Sequence, residues 1–283
     1  MQAPLTTWIE QINAAARHGH TLAIQGGNSK HFYGQAARSD AVLDTRAHSG
    51  IVSYEPSELV VTVRAGTPLA ELEAVLNAQG QCLAFEPPHF SVDGQSHATV
   101  GGMVACGLAG PARANVGGVR DHVLGVQMLN GKGEWLTFGG QVMKNVAGYD
   151  VSRLLAGSWG QLGLITEVSL KVLPVAPGEA TLVCAGVTQA QALKLINQWG
   201  GQPLPLNASC WVKDTTASGA PDMLFLRLRG AHAAVEAAKI RMSQDVAALN
   251  SQLVEQAAEL AVKDWRSARD QRLPYFTENA TSS

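Results

Sequence analysis

Residues Gln25-Gly-Gly-Asn-Ser-Lys30 follow directly on Thr21 to Gln25, a short run that reads as a strand. Two adjacent glycines let backbone N–H groups turn toward a bound anion. Asn28, Ser29 and Lys30 add side-chain donors, and the combination has the physics of a phosphate-cradling nest. An ordinary glycine turn accounts for the same residues. The loop is neither a Walker A sequence nor a Rossmann fingerprint. A second segment, Ala98 to Gly110, is built almost wholly of small uncharged residues, among them Thr99, Gly101, Gly102 and Ala105. Such backbone suits close approach to something flat, or to another helix. A third, Lys144-Asn-Val-Ala-Gly-Tyr-Asp150, gathers a cation, an amide, a phenol and a carboxylate around one glycine; a solvated loop leading into a helix is its plainer reading. A fourth, Gly157-Ser-Trp-Gly-Gln-Leu-Gly-Leu-Ile-Thr-Glu167, is a glycine-spaced turn feeding a strand, or a helix stop before a buried strand.

Acid–base and metal chemistry have fewer footholds. His89 follows Pro87-Pro88, which fix the loop and hold the ring in place. Histidine is a suitable acid–base type, yet a packed loop histidine fits equally well. His18 and His20 read as exposed at a helix end, and Gly131-Lys132-Gly133 as a hairpin tip. No H-x-x-x-H or clustered carboxylate set suggests a metal, and no serine sits in a nucleophile elbow. No residue is singled out as catalytic.

The elements that must position these segments come from a chain of 283 residues, 46% hydrophobic and 16% charged. That composition supports a sizeable core and excludes a disordered chain. Lys and Arg number 21 against 23 Asp and Glu, a net charge of −2, so nothing points to nucleic acid. The four cysteines, Cys82, Cys106, Cys184 and Cys210, form no metal or disulfide spacing and read as reduced thiols. The N-terminus lacks the basic and apolar runs of a signal peptide. No stretch approaches the ~20 apolar residues of a membrane span. Of 29 glycines, 24 precede residue 181, which suggests two regions with different backbone demands.

Periodicity predicts a helix over 5–16 and strands near 41–44, 51–54 and 59–64. A second helix should start at Thr67-Pro68, capped by the threonine, and stop at Gly80. Residues 81–121 are loop-rich, with one short apolar helix near 100–107. A hairpin follows, 123–129 and 135–138, turning at Asn130-Gly131. A helix near 150–156 precedes a long strand or strand pair over 162–173. Pro174 and Pro177 mark a boundary. Beyond it the order is strand 180–187, helix 188–199, strands 208–212 and 223–229, helix 231–249, and a helical stretch 251–270. That is most of a β-α-β-β-α-β layout, with its last strand not evident.

Taken in order and spacing, the four segments resemble the FAD-binding domain of the vanillyl-alcohol oxidase and p-cresol methylhydroxylase flavoproteins. The most specific stretches are Glu86-Pro-Pro-His89, Gly101 to Pro111 and Phe138 to Asp150, and within that superfamily the pattern looks like the GlcE type of glycolate oxidase flavoprotein. The likeness covers nearly all of residues 5–275. It implies an α+β fold: a two-subdomain FAD-binding domain over 1–175, then a partial α+β cap domain over 176–283. The loop Gln25, Gly26, Gly27, Asn28, Ser29, Lys30 would hold the FAD pyrophosphate. Pro88 would wall the flavin site, and Thr99, Gly101, Gly102 and Ala105 would run along the dinucleotide. Gly157, Gly163 and Ile165 would lie near the adenine end.

Two positions depart from the family pattern. Asn28 stands where several relatives carry a flavin-linked histidine, which implies non-covalent FAD; Trp159 stands at a commonly acidic position. Family members continue past this length, so the cap is expected to be partial. The resemblance implies an FAD-binding subunit of a glycolate oxidase or dehydrogenase complex, which oxidises glycolate, a small 2-hydroxy acid, to glyoxylate. Its partners would be a homologous FAD-binding subunit and an iron–sulfur subunit. The location would be cytoplasmic, at the inner face of the membrane only through the complex. Two other readings remain: a non-catalytic scaffold for a catalytic sister, and a stand-alone oxidoreductase.

Overall fold

The computed structural model describes residues 3–34, 38–91, 94–141, 149–213 and 219–278. The chain divides into two compact units, one of Met1–Gly110 with Gly117–Val175, the other of Pro111–Val116 with Ala176–Ser283.

The first unit opens with α1 (Ala3–His18). Leu5, Trp8 and Ile12, spaced three and four apart, share one face and pack with Leu43, Leu129 and Leu164. Strands β1 (Leu22–Gln25) and β2 (Ala41–Asp44) pair in parallel. Next come β3 (Ile51–Glu55), β4 (Val60–Arg64), α2 (Leu69–Ala78), β5 (Gln81–Cys82) and α3 (Val100–Cys106). After α4 (Arg113–Val116), which belongs to the second unit, follow α5 (Val119–His122), β6 (Val123–Leu129), β7 (Trp135–Gly139), α6 (Val151–Leu154), β8 (Leu164–Lys171) and β9 (Leu173–Pro174).

Five strands form an antiparallel sheet in the order β3-β4-β8-β6-β7. The period of two sends Val61, Val63, Val126, Val168 and Leu170 to one face, where Leu69, Leu72 and Leu76 of α2 and Met103 and Val104 of α3 bury against them. Each such aliphatic side chain contributes about 1.5–3 kcal/mol on leaving water. The intervening residues Thr62 and Ser169 meet through their hydroxyls at 2.8 Å.

The structure changes one local expectation here and sharpens another. Thr67 does not cap α2. Its hydroxyl donates to the Arg64 carbonyl at 2.7 Å and accepts from the Gly50 N–H at 2.9 Å, which ties the approach loop to the preceding hairpin. Pro68 takes the capping position instead. The run 162–173 resolves into β8 and the two-residue β9, and β9 pairs with β5.

The second unit runs β10 (Gly178–Ala185), α7 (Gln189–Gly200), β11 (Leu206–Val212), β12 (Met223–Gly230), α8 (His232–Ala247), β13 (Leu253–Glu255), α9 (Ala258–Arg269) and α10 (Pro274–Glu278). Its sheet order is β11-β12-β10-β13, every neighbour antiparallel. Thus the expected helical stretch over 251–270 contains the fourth strand, which completes the β-α-β-β-α-β layout. Only three residues pair, Leu253 to Glu255 against Leu182 to Cys184, too few for alternation to show. Helices α7 and α8 bury Leu195, Trp199, Val235 and Met242 against Leu182 and Leu226. A capping box, Thr188 with Gln191, starts α7. On the other face Trp265 of α9 donates to Thr181 Oγ1 at 2.9 Å. The fully buried Arg227 guanidinium lies 4.9 Å from the Trp265 ring.

Candidate functional site

The nest loop leaves β1 and immediately meets the segment before α3. A Cβ on Gly26 would strike Thr99 Oγ1, and one on Gly27 would strike the His97 carbonyl oxygen. At Gly27 the obstacle is backbone and no larger residue fits; at Gly26 a larger residue would have to turn the Thr99 side chain away. Asn28 adopts a left-handed backbone, φ +55°, a conformation asparagine tolerates better than most residues. The Gln25 carbonyl accepts from the Thr45 N–H at 2.9 Å, which anchors the loop to the end of β2.

Helix α3 is pressed onto the sheet by its glycines. The Gly101 N–H donates to the Ala65 carbonyl at 2.8 Å, and a Cβ at Gly101 would lie 2.6 Å from Ala65 Cβ. Thr99 caps the helix, its hydroxyl accepting from the Gly102 N–H at 3.3 Å. At the other end the Gly157 N–H donates to the Val104 carbonyl at 3.1 Å and the Trp159 N–H to the Ala105 carbonyl at 2.9 Å. Gly160 in turn approaches Ile24 of β1. So the structure gathers Gln25 to Asn28, Thr99 to Ala105 and Gly157 around one short helix. Gly163 and Ile165 are placed differently. A Cβ on Gly163 would strike Met128 and the Leu129 carbonyl, and Ile165 is a core residue opposite Met128. The segment Lys144 to Gly148 lies outside the described residues.

Pro88 is buried in a loop bracketed by two left-handed residues, Glu86 (φ +51°) and Phe90 (φ +47°). Its neighbour His89 is held at both ring nitrogens. Nδ1 lies 2.7 Å from Ser96 Oγ, and Nε2 2.9 Å from Glu73 Oε2 of α2. That arrangement engages both ring nitrogens and ties the loop to α2.

Sequence reasoning missed what surrounds Lys30. Its Nζ lies 5.6 Å from the centroid of the Phe90 ring. Phe32 meets Phe90 edge-on, and Tyr33 stacks on Trp159 with centroids 5.1 Å apart and planes 13° from parallel. Trp159 itself is left-handed, φ +53°. Phe32 and Tyr33 stand next to the nest loop in sequence. Burial pushes the Cys106 thiol up to about 11, opposed by the Lys30 charge. A separate concavity of about 190 Å³ opens between Thr62, Gln127, Thr137, Gln141, Glu167 and Ser169. Burial raises the Glu167 carboxyl there, against the pull of Arg64. Among the described residues no group of three or more His, Cys, Asp or Glu could hold a metal.

Residues 7–139 match the FAD binding domain family. The chain is 43% identical over 269 residues to glycolate oxidase subunit GlcE of Escherichia coli K12, which covers 95% of this chain and 69% of that protein. The chain belongs to the GlcE family of FAD-binding flavoproteins. FAD is accordingly its cofactor. Glycolate oxidase subunit GlcD of Bacillus subtilis is 31% identical over 133 residues, 47% of this GlcE-family chain and 27% of that one. A solved structure of alkyldihydroxyacetonephosphate synthase superposes with a TM-score of 0.70 at 16% identity, over 93% of this chain and 54% of that chain, and shares the fold. No helix among the described residues is long and apolar enough to cross a membrane.

Proposed function

We propose that this chain is the FAD-binding subunit of a glycolate oxidase or dehydrogenase complex, in which glycolate becomes glyoxylate and electrons pass through the flavin to partner subunits. The observation that carries the reading is the glycine nest, Gly26 and Gly27, seated so closely on Thr99 and His97 that only glycine fits at position 27. A loop of that shape leaves backbone N–H groups for a diphosphate and keeps side chains out of its path. No carboxylate stands in Gln25 to Lys30 to repel it. The residues present therefore suit the pyrophosphate of a dinucleotide.

In this reading the loop Gln25 to Lys30 holds the pyrophosphate through its backbone N–H groups, and Thr99, Gly101, Gly102 and Ala105 line the dinucleotide's course. Pro88 walls the flavin end, in a loop made rigid by His89. Gly157, Gly163 and Ile165 serve the adenine end, the last two through backbone beside the core. Asn28 has no imidazole to bond to flavin, so the FAD is held without a covalent link. Hydride acceptance from the hydroxy-acid carbon is the chemistry that bound FAD supplies. Residues 176–283 act as a cap. The partners are a GlcD-like flavoprotein and an iron–sulfur protein of the same complex, and the chain sits in the cytoplasm, at the membrane only through that complex.

Anaerobic addition of glycolate to the FAD-loaded chain, alone and with its sister flavoprotein, tests the reading. Loss of the oxidised-flavin absorbance in this chain supports it. Flavin that glycolate reduces in neither setting would leave a scaffold role.

A further inference from the structure

Lys30 ends the nest loop but does not behave as one more surface donor. Its side chain is 7% exposed. The ammonium lies over Phe90, two residues past Pro88, and 3.3 Å from Ser29 Oγ. Cys106, the last residue of α3, senses the same charge. Phe90 is held in turn by Phe32 and by its own left-handed backbone. A cation so enclosed is fixed in position and poorly screened by water, where charge acts most strongly. Diphosphate recognition in a glycine nest is supplied by backbone N–H groups and does not require this side chain.

We propose that Lys30 is a positioning charge for the flavin ring, favouring the reduced, negatively charged cofactor over the oxidised, neutral one. The inference rests on the FAD reading above and on Pro88 marking the flavin end. It differs from a phosphate role in one measurable respect. The pyrophosphate carries the same charge in both oxidation states, so a lysine serving it would tighten both equally. A lysine serving the ring tightens only the reduced state, and that difference appears in the midpoint potential.

The test compares the 283-residue chain with its Lys30→Met and Lys30→Arg variants. FAD affinity is measured by titration of the stripped protein, and the midpoint potential by anaerobic equilibration with a reference dye. Lys30→Met is expected to weaken reduced FAD at least tenfold more than oxidised FAD. That lowers the two-electron midpoint by about 30 mV or more, since tenfold corresponds to ~29.6 mV. Lys30→Arg should restore most of the difference. Equal weakening of both states with an unchanged potential would overturn the proposal and return Lys30 to the pyrophosphate. If Lys30→Met does not fold, Lys30→Gln carries the same comparison. A wild-type chain that binds no FAD would fail at the earlier step and refute the FAD reading itself, so the two failures are distinguishable.

Discussion

Replacing Gly27 by alanine drives a methyl group into the His97 carbonyl oxygen and leaves it 3.2 Å from His97 Cβ. Carbon normally stops about 3.5 Å from such atoms, so the loop must retreat by more than ~1 Å. Overpacking of this kind costs about 1–3 kcal/mol in folding stability. The cost to binding is larger, because the same movement carries the loop's N–H groups away from the diphosphate. Each hydrogen bond to a charged group is worth about 1.5–3 kcal/mol, so losing two amounts to about 3–6 kcal/mol. At about 1.4 kcal/mol per tenfold, FAD affinity should fall by about 10²–10⁴. Gly131, which has nothing within 4 Å of its missing Cβ, is the control. The assay is calorimetric titration of FAD into stripped protein, beside urea unfolding of the same samples. A folded Gly27→Ala chain that binds FAD as tightly as the wild type would show that the nest does not hold the cofactor.

Other perturbations separate folding from binding. Thr99→Val removes the cap of α3 and should cost about 1 kcal/mol by urea unfolding. His89→Ala removes the ring from the half-buried Ser96 and Glu73 and should cost about 0.5–1.5 kcal/mol for each hydrogen bond lost; a variant as stable as the wild type would show that these contacts do not hold the loop. Arg227→Ala removes a charged hydrogen bond to Asn207 and a cation–π contact with Trp265 and should cost about 2–4 kcal/mol, read by thermal melting. The Cys106 thiol has its folded value pushed up from 9.0 to about 11. The folded state therefore holds this proton more tightly than the unfolded chain, so its contribution to stability is full below pH 9.0 and is lost as pH rises toward about 11. In the stripped chain Cys106 should resist iodoacetamide at about pH 8 and react only in strongly alkaline buffer, checked by mass spectrometry of the labelled peptide.

The parts of the site that were legible in sequence are those where chemistry is local. Adjacent glycines after a strand, or small residues along one helix, announce a close approach without naming what approaches. Gly101 read correctly as a close-packed position because a larger side chain there meets Ala65. The partners of His89 were not legible: Glu73 lies sixteen positions away on α2, and only the folded chain brings it to the ring. Thr67 looked like a cap because its type and place suited one. A tertiary contact with Gly50 outweighed that local preference. The fourth strand of the second unit was hidden because Leu253 to Glu255 is too short for a period of two to appear. Lys30 and Phe90 stand sixty residues apart, and no local pattern predicts a cation over that ring.

The most direct test is the visible spectrum of the purified chain loaded with FAD, recorded before and after acid precipitation. An oxidised-flavin spectrum that passes entirely into the supernatant as intact FAD is the expected result, with Asn28 leaving the cofactor unlinked. A chain that stays colourless after incubation with FAD would contradict the assignment of the nest, and flavin that remains with the precipitate would contradict its non-covalent character.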